Sequence, residues 1–119
     1  CARKNVACRS QAIYVGVEGP RYETPAEIRL YASWGGHVIG MTNTPEAILA
    51  REAGLCYGAL AIVTNLAAGL SPAPLAHDQV RQAMKSVSSV LQAVVTEAVD
   101  LLSQGQQPCS CRLNTALRV

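Results

Sequence analysis

Along the chain, short apolar runs alternate with amphipathic stretches, and Gly, Pro or Thr stands at most junctions. Gln11 to Glu18 carries Ile13, Tyr14, Val15 and Val17 ahead of the breaker Gly19-Pro20, which predicts a strand. A helix follows with a complete start signal: Thr24 at the N-cap, Pro25 at the first helical position, and Glu27 placed to close a capping box. This helix should run to about Trp34 and stop at Gly35-Gly36. His37 to Met41 is a second short apolar run and predicts a second strand. Behind it Thr44 is expected to cap a second helix, with Pro45 at its first position, Glu46 in its first turn and Gly54 just past its end.

Leu55 to Val63 is apolar without interruption, as a strand covered on both faces would be, and it ends in Thr64-Asn65. Ala67 to Pro74 is a loop by its Gly and Pro content. From about Asp78 a long helix is predicted, because Val80, Met84, Val87, Leu91, Val94, Ala98 and Leu101 recur at steps of three and four through roughly Leu102. Residues 103–119 lose this periodicity and are expected to form an irregular tail. Strand-turn-helix units in succession predict an α/β architecture, with residues 1–102 forming part of one domain.

Composition narrows the function. The 119 residues, half of them hydrophobic, suffice for one globular core. A net charge of +2 with 15% charged residues supplies no basic stripe, so nucleic acid is not the expected partner. No run approaches the roughly 20 apolar residues that cross a bilayer, and the first residues hold no apolar signal core, so a cytoplasmic protein without membrane contact is expected. The cysteines, Cys1, Cys8, Cys56, Cys109 and Cys111, are odd in number and scattered, which argues against a disulfide framework. Cys56 is expected to pack as a small hydrophobe. Cys109-Ser-Cys111 has no second ligand pair at suitable spacing, so no metal is expected. A start at Cys1 within a basic stretch gives the look of a piece whose upstream part is missing.

The chemistry-bearing residues fall at predicted strand ends, where an α/β sheet gathers its ligands. They are Glu23, the pair Met41-Thr42, the pair Thr64-Asn65, and His77 beyond the loop. Glu23 is either a charge favouring the helix N-terminus or a hook for a ligand. Three segments, Glu18-Gly-Pro-Arg-Tyr-Glu-Thr-Pro-Ala-Glu27, Gly40-Met-Thr-Asn-Thr-Pro-Glu46 and Thr64-Asn-Leu-Ala-Ala-Gly69, together resemble the trimeric purine nucleoside and methylthioadenosine phosphorylases. The resemblance covers nearly all of residues 11–100 and corresponds to the C-terminal portion of that family's three-layer fold with a central mixed sheet.

The resemblance implies phosphorolysis of a purine nucleoside, with inorganic phosphate as co-substrate and no other cofactor, in a homotrimer. By resemblance Glu23 binds the base. A carboxylate only accepts hydrogen bonds, so it suits the N1–H of a 6-oxopurine and not the bare N1 of adenine. Asn65 matches the catalytic position whose amide donates to N7 or O6 of the leaving base, where 6-aminopurine relatives hold Asp. Tyr22 would lie against the purine, Met41 against ribose and base, His77 at the ribose 5′-hydroxyl, and Thr42 at phosphate. Plainer uses exist: Asn65 can make its own turn, Met41 can fill core, Thr42 can be a turn residue, and His77 can be a solvated helix-start residue.

Glu18 and Arg21 look more like the methylthio branch, so methylthioadenosine or methylthioinosine phosphorolysis is the alternative, with an inactive fragment as a third. The family's Gly-rich phosphate loop and its phosphate-binding Arg and His have no counterpart in these residues. The isolated chain is therefore expected to be a poor catalyst, because one threonine hydroxyl cannot neutralise phosphate.

Overall fold

The computed structural model describes residues 1–72 and 77–105. Strand β1 (Tyr14–Gly16) and strand β2 (Val38–Gly40) form a parallel pair, with Tyr14 opposite Val38 and Gly16 opposite Gly40. Helix α1 (Pro25–Ser33) connects them, giving the right-sized crossover for parallel neighbours. The ladder continues one bond past β1, where the Val17 N–H donates to the Gly40 carbonyl at 3.0 Å. Both strands therefore end at the same edge, and the loops after them emerge side by side.

Helix α1 starts as its sequence dictates. The Glu27 N–H donates to Thr24 Oγ1 at 3.3 Å, and the Thr24 N–H donates to Glu27 Oε2 at 2.7 Å, closing the capping box. Ile28, one turn in, is buried.

Helix α2 (Asn43–Glu52) departs from expectation. Its N-cap is Thr42, not Thr44, and Pro45 sits third in the helix. Thr44 packs so closely on β1 that a Cβ at Gly16 would overlap its hydroxyl, which takes that side chain out of any capping role. Pro45 is tolerated because first-turn N–H groups have no intrahelical partner to lose.

The apolar run 55–63 is the larger correction, because it forms no strand. Among the described residues it pairs with neither β1 nor β2. Its side chains are exposed apart from half-buried Ile62, with Val63 at 69%, and Cys56 is exposed rather than packed. It is tied instead to α2, through the Tyr57 hydroxyl donating to Glu46 Oε2 at 2.8 Å. That carboxylate neighbour pushes the Tyr57 phenol's pKa up.

Helix α3 (His77–Ser103) is the longest element. Its covered face runs through Val80, Val87, Leu91 and Val94, whereas Met84, Ala98 and Leu101 of the predicted stripe are exposed. By length and composition, with a mean hydropathy of 1.2, it could also cross a membrane. Apolar residues gathered into one stripe are the mark of a helix that faces a protein core. Glu97 holds the chain's beginning against it, 3.1 Å from Lys4 Nζ and 3.4 Å from Arg3 Nη1, and these cations draw the Glu97 carboxyl below its usual range. An open groove of about 1280 Å³, lined in part by Val38, Ile62, Leu91 and Val94, lies between α3 and the run 55–63. The proposed tail from 106 onward, with Cys109 and Cys111, and residues 73–74 of the predicted loop lie outside the described residues.

Candidate active site

The loop leaving β1 is built around Arg21. Its guanidinium grips Glu27 with two bonds, Nη1 to Oε2 at 2.9 Å and Nη2 to Oε1 at 2.6 Å, and Nη1 also donates to the Tyr22 carbonyl at 3.2 Å. Glu27 thus serves the cap and the loop together. Arg21 first, then the Thr24 N–H, hold its carboxyl near a pKa of about 2, while the Arg21 guanidinium is raised in turn. Glu23 makes no hydrogen bond to this network and acts on Arg21 only through its charge. It is half-buried, lines a pocket of about 220 Å³ with Glu18, Arg21 and Tyr31, and makes no hydrogen bond or ion pair with the described residues.

The second strand end lies directly beneath the first loop. Gly19 faces Met41 so closely that a Cβ there would stand 2.8 Å from Met41 Sδ, so a larger residue would push the Met41 side chain aside. Thr42 is exposed, and although it occupies the α2 N-cap its side chain makes no capping bond. The hydroxyl is accordingly free of a helical role.

Asn65 is held by its neighbours. The Thr64 hydroxyl donates to Asn65 Oδ1 at 2.7 Å, and Asn65 Nδ2 donates to the Leu66 carbonyl at 2.9 Å. A carbonyl only accepts, so the group facing Leu66 must be the NH₂, which fixes the amide's orientation and leaves one of its two N–H groups available. The loop onward packs on α1, where a Cβ at Gly69, at φ +79°, would stand 2.6 Å from Pro25 Cβ.

His77, the first residue of α3, meets Tyr22. The Tyr22 hydroxyl is 3.1 Å from His77 Nδ1, and the rings lie 5.5 Å apart at 41°. The structure therefore brings together Tyr22 with His77 and the Gly19 loop with Met41. No hydrogen bond among the described residues joins Asn65 to Glu23, Tyr22, Met41 or Thr42. His37 lies at the entry to β2, where its Nδ1 accepts the Ile13 N–H at 2.9 Å, a structural use.

Comparison with known proteins is decisive at this point. Residues 1–100 match the family model of the phosphorylase superfamily. The chain belongs to that superfamily. It is 44% identical over 94% of its length to a probable 6-oxopurine nucleoside phosphorylase of Moorella thermoacetica, covering 43% of that protein. It is 48% identical to the 6-oxopurine nucleoside phosphorylase of Pyrococcus furiosus, over 83% of this chain and 37% of the relative. A probable S-methyl-5′-thioinosine phosphorylase of Methanothermobacter thermautotrophicus is 44% identical over 87% of this chain and 38% of its own length. The chain thus spans roughly two fifths of the length of these relatives.

Among solved structures, a double mutant of the adenosine/methylthioadenosine phosphorylase of Schistosoma mansoni, in complex with adenine, superposes with a TM-score of 0.79 at 31% identity. The match covers 89% of this chain and 38% of that one. The fold is therefore the α/β phosphorylase-like fold. Within this superfamily chain, the roles that sequence reasoning passed over are those of Arg21, which organises the loop bearing Tyr22 and Glu23, and of Thr64, which orients Asn65. Neither carries a pattern signal, because each acts through a neighbour brought close by the turn.

Proposed function

We propose that the protein carrying this chain catalyses phosphorolysis of 6-oxopurine nucleosides, converting inosine or guanosine and phosphate to free base and ribose 1-phosphate. In this reaction the C1′–N9 bond breaks with its electron pair passing to the purine, and a phosphate oxygen forms the new bond to C1′. The observation that carries the reading is Glu23: beside the Arg21–Glu27 pair its half-buried carboxylate is left without a hydrogen bond at the edge of a pocket. Such a group suits the N1–H of hypoxanthine and the N1–H and 2-amino group of guanine. The remaining Asn65 N–H would donate to N7 or O6 as negative charge develops on the base. Met41 would lie against the ribose, His77 would bind the 5′-hydroxyl, Tyr22 would approach the purine, and the uncommitted Thr42 hydroxyl would contact phosphate.

The relatives named for 6-oxopurine nucleosides support this reading at 44% and 48% identity. A second reading, S-methyl-5′-thioinosine as substrate, is favoured by the relative of that name at 44% identity. It keeps the 6-oxopurine base and changes only the 5′ group. No cofactor beyond phosphate enters the chemistry, and a cytoplasmic homotrimer is part of the same proposal.

The test is Glu23→Gln in the complete protein. Replacing an acceptor-only group by one that also donates should lower kcat/KM for inosine about 10- to 100-fold, the weight of a charge-assisted hydrogen bond. Unchanged inosine turnover would remove Glu23 from the base site and the reading with it.

A further inference from the structure

The contact between Tyr22 and His77 reaches across 55 residues of sequence and joins the loop after β1 to the first turn of α3. We propose that Tyr22 is a positioning residue for His77: its hydroxyl donates to Nδ1, fixes the imidazole as the Nε2–H tautomer, and so sets the enzyme's preference for a 5′-hydroxyl over a 5′-thioether. This rests on the nucleoside-phosphorolysis reading above and goes beyond it by assigning the Tyr22 hydroxyl to sugar selection while its ring approaches the purine.

Acidity favours this direction of the bond. A phenol is a far stronger acid than a neutral imidazole N–H, so across the 3.1 Å contact the proposal makes the hydroxyl the donor and Nδ1 the acceptor. In a neutral imidazole one nitrogen donates and the other accepts, and the bond made at one decides the role of the other. With Nδ1 occupied, Nε2–H is the group His77 has left to offer a ligand. An oxygen lone pair of a 5′-hydroxyl accepts such a bond well, whereas a thioether sulfur is a weak acceptor. The rings, 5.5 Å apart and inclined at 41°, are held by this bond and not by face-to-face stacking. Tyr22 is 42% exposed, and among the described residues His77 is the hydrogen-bond partner of its hydroxyl.

The experiment compares the complete wild-type protein with Tyr22→Phe, His77→Ala and the double variant. Two quantities are read: the ratio of kcat/KM for inosine to that for S-methyl-5′-thioinosine, and the imidazole ¹⁵N shifts of His77, assigned by the signal lost in His77→Ala. Tyr22→Phe should lower the substrate ratio roughly tenfold, the effect of one lost neutral hydrogen bond, mainly through KM for inosine. It should also move the His77 shifts from a single Nε2–H tautomer toward a mixture. In the His77→Ala background the same change should leave the ratio where it is. An unaltered ratio, unaltered ¹⁵N shifts, or an equal loss without His77 would each overturn the proposal. If the wild-type protein cleaves neither nucleoside, the functional reading falls with the sugar-selection claim, while the ¹⁵N comparison still decides whether Tyr22 sets the His77 tautomer.

Discussion

At the scale of the residue, the site depends on which polar groups are already engaged. Asn65 shows this best, since its amide is locked by Thr64 on one side and the Leu66 carbonyl on the other. Asn65→Asp would put a carboxylate oxygen where the NH₂ now meets that carbonyl, opposing two acceptors across 2.9 Å. The substitution should therefore lower the melting temperature as well as inosine turnover, and it should not by itself create adenosine activity; thermal denaturation and both substrate assays check this. Glu27 supplies a pH signature. Its folded-state pKa, about 2, lies below the ordinary 4.5, so its contribution is complete above 4.5 and is lost as pH falls toward 2. Glu27→Gln should melt lower than wild type at neutral pH, and the gap should close near pH 2. Glu23, Asn65 and His77 could be singled out as candidates by residue type near predicted strand and helix ends. The partnerships of Arg21 and Tyr22 were not, because a guanidinium or phenol reaching through space leaves no periodic trace.

At the scale of the element, start signals were readable where the local chain decides alone and misleading where packing intervenes. The capping box of α1 involves only residues 24–27, and it forms as its sequence dictates. Thr24→Ala should cost about 1 kcal/mol of stability, the usual loss of an N-cap side chain, measured by denaturant melts. The start of α2 was misread because Thr44 lies against β1 and the helix begins behind Thr42 instead. Since the Thr42 side chain makes no capping bond, Thr42→Ala should leave the melting temperature nearly unchanged while raising KM for phosphate. Gly69 joins two elements, with φ +79° and Pro25 in its path. Gly69→Ala should destabilise by about 1–2 kcal/mol from the left-handed backbone alone.

At the scale of the whole molecule, pattern and structure part most widely. The run 55–63 carries a strand's composition, yet a strand forms only when its backbone pairs with a neighbour, and among the described residues this run pairs with neither β1 nor β2. Among them only Ile28 and Val94 are buried hydrophobics, while Leu55, Leu60 and Val63 stand more than half exposed. A chain of this size ordinarily buries about two thirds of its unfolded surface. These 119 residues expressed alone should consequently bind hydrophobic dye strongly and turn over nucleosides poorly; weak dye binding with full activity would refute that. The parallel pair and its shared edge were legible because alternating strand and helix signals imply them. The central claim is the choice of base, and one measurement addresses it most directly: phosphorolysis by the complete protein of inosine and guanosine against adenosine and methylthioadenosine, as kcat/KM ratios. We expect the 6-oxopurines to be preferred by about 10-fold or more, the weight of the hydrogen bond that Glu23 would make to N1–H. A preference for the 6-amino nucleosides would contradict the roles given to Glu23 and Asn65.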